Sequence, residues 1–139
     1  MTERELADRT AIHDVLCRYA RGVDTKDVDL VASCFTSDCA YEGSLGKSTI
    51  AEALANLRSA MARYTRTMHC MGNQLIELTG AAAASETYCI ARHELPDRRT
   101  FTVSVRYLDR LICVDGGWRI AQRTAITDWR RYDAPTEVP

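Results

Sequence analysis

The stretch TFTVSVRYLDRLICVDGGWRIAQRTAITDWR, residues 100–130, reads as two long β-strands joined by a tight turn. β-Branched and aromatic side chains dominate both arms. Between them Asp115-Gly116-Gly117 offers the residues that tolerate the positive φ of a short hairpin loop, which makes it the strongest turn signal in the chain. The two arms are expected at Thr100–Val114 and about Trp118–Arg130. Moving toward the N-terminus, Pro96-Asp97-Arg98 and Thr79-Gly80-Ala81 interrupt the pattern in the same way. They mark off two more strands, about Arg66–Leu78 and Ala83–Leu95. Four long strands in succession predict an antiparallel meander.

Upstream of Thr65 the period changes. Thr2 and Glu5 have the spacing of a capping box. Ile12, Val15, Leu16, Tyr19, Ala20 and Val23 then recur at three- and four-residue steps, with Gly22 at the expected helix end. A short second helix is expected from about Asp27 to Cys34, burying Val28, Val31 and Phe35. Cys39-Ala40-Tyr41 reads as a brief strand and Gly43-Ser44-Leu45-Gly46 as a loop. Ser48 is positioned to cap a third helix carrying Ile50, Leu54, Leu57, Met61 and Tyr64. Helices followed by a strand meander predict an α+β domain in which three helices cover one curved antiparallel sheet. The domain is placed at residues 1–132, with a loose tail over 133–139.

Composition narrows the function. The chain has 139 residues, enough for a sizeable core without disulfides or metals. Its formal net charge of −1 offers no drive toward phosphates or an anionic membrane, so neither nucleic acid nor membrane is an expected partner. No apolar run reaches the roughly 18 residues of a membrane span, and the charged start MTERELADRT lacks a secretory apolar segment. A cytoplasmic location is the expectation. The six cysteines show no CxxC pair and no zinc-ligand spacing, and they read as reduced, mostly core thiols. His13 and Cys17 share a helix face at i and i+4, with Asp14 one step off it and no third ligand, so no metal site is expected.

Several stretches carry a resemblance: Ala11-Ile12-His13-Asp14-Val15-Leu16-Cys17-Arg18-Tyr19-Ala20-Arg21-Gly22-Val23-Asp24, then Cys34-Phe35-Thr36-Ser37-Asp38-Cys39-Ala40-Tyr41. His69-Cys70-Met71-Gly72-Asn73, Glu86-Thr87-Tyr88, Asp115-Gly116-Gly117-Trp118-Arg119-Ile120 and Asp128-Trp129 continue it. Over about residues 5–130 the chain resembles the SnoaL-like branch of the nuclear transport factor 2-like superfamily. The resemblance implies a cone-shaped α+β barrel around a small-molecule pocket. That fold hosts cyclases, dehydratases, isomerases, hydrolases and binders alike, so it does not by itself choose a function.

Within the superfamily the pattern is most similar to scytalone dehydratase and the lindane dehydrochlorinase, which have an Asp just past the first helix and a His early in the first long strand. Asp24 and His69 stand at those positions. The resemblance implies a cofactor-independent lyase or isomerase acting on a small hydrophobic, cyclic molecule. His69 would be the base and Asp24 its orienting partner, because a carboxylate on one ring nitrogen fixes the tautomer and stabilises the imidazolium. His93 is expected to donate to a substrate oxygen or protonate a leaving hydroxyl. Tyr19, Tyr41, Tyr88 and Asn73 are candidate substrate contacts, with Arg123 a weaker one. Where a ketosteroid isomerase has its Asp base, this chain has Gly43 preceded by Glu42, which argues against that mechanism.

Each residue also has a plainer reading. Asp24 can cap the second helix, His69 can be a satisfied strand histidine, His93 can lie on the surface near Pro96, and the tyrosines can be core. At the level of function, a non-catalytic small-molecule binder competes with the enzyme, and a small structural subunit of an aromatic-ring dioxygenase is a third possibility. The resemblance further implies a homo-oligomer, dimer or trimer, formed through the outer face of the sheet.

Overall fold

In the computed structural model, residues 1–135 are described. The elements are α1 (Glu3–Asp24), α2 (Val28–Ser33), β1 (Phe35–Gly43), β2 (Gly46–Thr49), α3 (Ile50–Arg63), β3 (Arg66–Thr79), β4 (Ala82–Glu94), β5 (Thr100–Val114) and β6 (Gly117–Asp133). One six-stranded sheet has the order β2-β1-β6-β5-β4-β3, and the helices pack on its inner face. The α+β architecture is the expected one. The sheet, however, is mixed: β1 runs parallel to β6, whereas every other pairing is antiparallel. A parallel pair such as Phe35 with Ile120 joins distant segments without a turn, so no local signal announces it.

The hairpin turns are where the sequence places them. Asp115 and Gly116 have φ of 50° and 80°, the double positive φ of a two-residue hairpin loop. β6 extends to Asp133, which pairs with Thr100, so the first residue of the expected tail belongs to the sheet. Residues 136–139 lie outside the described part. No helix among the described residues is long and apolar enough to cross a membrane.

Two local readings change. Thr49, not Ser48, caps α3: its hydroxyl accepts from the Glu52 amide at 3.2 Å, while Glu52 accepts from the Thr49 amide at 2.9 Å. This reciprocal pair satisfies two helix-end donors, and Ser48 is occupied in a short strand paired with Tyr41. Gly22 does not end α1 either. The helix continues to Asp24, then closes with Lys26 in the left-handed region (φ 59°), its amide on the Val23 carbonyl and the Asp27 amide on the Gly22 carbonyl. The glycine serves close packing instead. A Cβ there would lie 2.7 Å from Val31 Cγ2 and 2.9 Å from the Val31 nitrogen, so α2 could not fold back against α1.

The core joins the apolar stripe of α1 (Ile12, Val15, Leu16, Tyr19 and Val23) to inward residues of the sheet such as Cys89, Tyr107, Leu111, Trp118 and Ile120. β4 presents Ala83, Ser85, Thr87, Cys89 and Ala91 inward, all buried. Their small volume leaves room for the large aromatic rings of Tyr19 and Tyr107, which meet edge to face at 5.6 Å.

Candidate active site

The turn after α1 brings Asp24 against the start of β3. Asp24 Oδ1 accepts from the Thr67 hydroxyl at 2.8 Å and pairs with His69 Nδ1 at 2.8 Å, while Oδ2 accepts from the His69 amide at 2.9 Å. Capping of α2 falls to Asp27, whose Oδ1 accepts from the Leu30 amide at 3.0 Å. Burial works to raise the Asp24 pKa, but the His69 ring, the His69 amide and Thr67 together outweigh it and hold the carboxyl below its ordinary range. An ionised Asp24 places the proton of neutral His69 on Nδ1 and leaves the Nε2 lone pair free. The His69 side chain is only 7% exposed.

His93 lies beside it on β4, the two rings 5.6 Å apart and edge to face. His93 Nδ1 donates to the Phe101 carbonyl at 3.1 Å, and the ring packs against Tyr64 and Phe101. Burial pushes its pKa down; the Phe101 carbonyl opposes that, and the nearby His69 adds to it. A neutral His93 with its proton engaged by a carbonyl presents Nε2 as an acceptor.

Stability follows from the same shift. The folded pKa lies below the unfolded value of about 6.5, so as pH falls the unfolded chain takes up the proton first. The contribution of His93 is full above about pH 6.5 and is lost as pH drops through that value toward the folded pKa. Urea midpoints at pH 7.5 and 5.5 are expected to differ less in His93→Leu than in the unaltered protein.

Farther in, the polar row continues. Tyr19 is buried, with its ring 6.5 Å from that of His69. On its other side stands Arg123, whose guanidinium carbon is 4.4 Å from the Tyr19 ring centre and 4.1 Å from that of Tyr107. Arg123 forms a bidentate pair with Asp109 at 2.7 and 2.8 Å, and both side chains are fully buried. Burial disfavours the cation, yet the Asp109 charge and hydrogen bonds more than compensate and hold the guanidinium protonated. Its Nη1 is buried with no hydrogen-bond partner. The sequence reading underrates Arg123. Counted from the turn at Asp115-Gly116, Asp109 falls opposite Gln122, and only the register shift between Arg110 and Leu111 brings Arg123 there.

The remaining candidates divide. Tyr41 is partly buried, and loss of solvent pushes its hydroxyl pKa well up. With Tyr19, Phe35, Leu54 and Leu57 it lines a cavity of about 30 Å³ between the sheet and α2–α3. Tyr88 is a correction: it alternates with buried Thr87 and Cys89, is 46% exposed and sits on the outer face of the sheet. Asn73 is another, being exposed where the β3–β4 register shifts between Met71 and Gln74. Among the described residues no three His, Cys, Asp or Glu side chains gather as a metal-ligand group.

Comparison with protein families identifies the class: residues 4–124 match the SnoaL-like domain, and the chain belongs to that family. Among solved structures, a candidate scytalone dehydratase from Novosphingobium aromaticivorans is 21% identical, with a TM-score of 0.87 over 100% of this chain and 94% of that one. The hexachlorocyclohexane dehydrochlorinase LinA-type3 from Novosphingobium barchaimii is 19% identical, with a TM-score of 0.83 over 97% of each chain. A candidate aromatic ring hydroxylase from N. aromaticivorans is 25% identical, with a TM-score of 0.83 over 92% of this chain and 93% of that one. The curated protein sequences contain no match.

Proposed function

We propose that this protein is a cofactor-independent lyase of the dehydratase kind, acting on a small hydrophobic, cyclic molecule that carries a leaving group β to a carbonyl. The observation that carries the reading is the Asp24–His69 pair, a buried imidazole whose Nδ1 is held at 2.8 Å by a carboxylate and whose Nε2 is free. A base so oriented takes the proton α to the carbonyl, and Asp24 stabilises the imidazolium that forms. The unpartnered Nη1 of Arg123, two rings deeper, offers positive charge for the enolate oxygen. Isomerisation through the same enolate is the neighbouring outcome. The described dehydratase and dehydrochlorinase relatives support an elimination.

The cavity of about 30 Å³ has room for a water and not for a ring. Of the fourteen residues of α3, only Ile50 and Met61 are buried, so this helix is the one whose displacement admits a substrate at least cost. A panel of cyclic β-hydroxy ketones, followed by enone absorbance and by solvent deuterium entering the α-carbon, tests the reading. Turnover or exchange with any of them supports it. Saturable binding with neither leaves a ligand-binding protein.

The outer face of the sheet supports assembly with further copies of the chain. Met68, Leu75, Tyr88, Ile90 and Trp129 are exposed there, and Arg106 is neutralised by Asp128 at 2.8 Å and Glu86 at 3.3 Å. Sedimentation velocity is expected to show a dimer or trimer that Trp129→Glu weakens.

A further inference from the structure

On the outward side of α1, away from the Asp24–His69 pair, three side chains from two elements form a second connected set. Gln74, just past the register shift in β3, donates from Nε2 to the Thr87 hydroxyl at 3.1 Å. Its Oε1 is therefore the acceptor facing His13 Nδ1 at 3.1 Å, which fixes the proton of neutral His13 on Nδ1. The Nε2 lone pair then points at Cys17 Sγ, 3.5 Å away and one helical turn on. A thiol, an imidazole acceptor and an amide that sets the tautomer are the parts of an assisted nucleophile.

We propose that Cys17 is a base-assisted nucleophilic thiol, with His13 as its proton acceptor and Gln74 as the positioning residue, that forms adducts with α,β-unsaturated carbonyl compounds. The sulfur attacks the β-carbon and the C–S bond forms as the C=C π pair moves onto the carbonyl oxygen. The thiol proton passes to His13 Nε2 and is returned at the α-carbon, leaving a thioether with no leaving group and no redox change. Burial and the charge of Asp14 both keep the proton on sulfur, so the thiol depends on a neighbouring acceptor. Space for a reagent exists. Cys17 borders an open groove of about 410 Å³ beside Trp118 and the Gly116-Gly117 turn, into which Asp14, Arg18 and Arg21 also project.

Cys70, the other exposed cysteine, sits on the opposite face of the sheet and serves as an internal reference. The test is pseudo-first-order labelling of the folded full chain by N-ethylmaleimide, resolved cysteine by cysteine by peptide mass spectrometry from about pH 5.5 to 9. At pH 7 Cys17 is expected to react about tenfold or more faster than in His13→Asn. Cys70 should react alike in both proteins. Equal Cys17 rates and profiles in the two proteins would overturn the proposal, as would failure of Cys17 to label while the protein is folded. His13 is solvent-exposed on its helix, so His13→Asn leaves the core untouched.

Discussion

His69→Ala is expected to lower turnover of a β-hydroxy carbonyl substrate by about 10²- to 10⁴-fold and to abolish solvent deuterium exchange at its α-carbon. The imidazole acts only as the proton moves, whereas the pocket walls hold ground and transition states about equally, so KM should change little. Asp24→Asn should follow the same pattern for a different reason. An amide can offer its NH₂ to the ring and turn the His69 proton to Nε2, leaving no lone pair toward the substrate. Steady-state kinetics with a substrate from the panel reads both. Unchanged turnover in His69→Ala would remove the lyase mechanism and make His93 the next residue to test.

Asp109→Ala is expected to cost about 3–5 kcal/mol of stability, because it strands the Arg123 guanidinium without its counter-charge in the core. Asp109 and Arg123 are both fully buried, and the aromatic rings around the cation cannot replace two charge-assisted hydrogen bonds. Removing both charges together, as Asp109→Leu with Arg123→Met, should recover most of the loss. Urea unfolding of the two variants checks this. The same double variant should also lose turnover if Arg123 Nη1 receives the enolate oxygen, which separates its electrostatic role from its structural one.

How far the sequence could be read depended on whether each signal was local. Hairpin turns announce themselves through residues such as Asp115 and Gly116, and the β5 boundaries came out as expected, Thr100–Val114. The α1 capping box is equally local, with Thr2 and Glu5 bonding each other's amides at 3.1 and 2.7 Å. Asp24 and His69 were legible only through family resemblance, since nothing in their spacing brings residues 45 positions apart together. Misreadings cluster where the two-residue period of a strand is interrupted. The shift between Met71 and Gln74 leaves Asn73 exposed, and the one near Ala121 hides the Asp109–Arg123 pair. Tyr88 alternates with the buried Thr87 and Cys89, so the two-residue period of β4 turns it to the outer face.

The strand order has a consequence for how the chain is made. β6, the last described strand to leave the ribosome, is an interior strand, flanked by β1 on one side and β5 on the other. Until about residue 117 onward has emerged, β5 and β1 each present an open edge of unpaired amides and carbonyls. Completion of the sheet is therefore gated by a pairing between distant segments, β1 with β6, that is slow to form. A polypeptide stalled before that point is exposed to association through those edges, and chaperone demand should be greatest for such truncated chains.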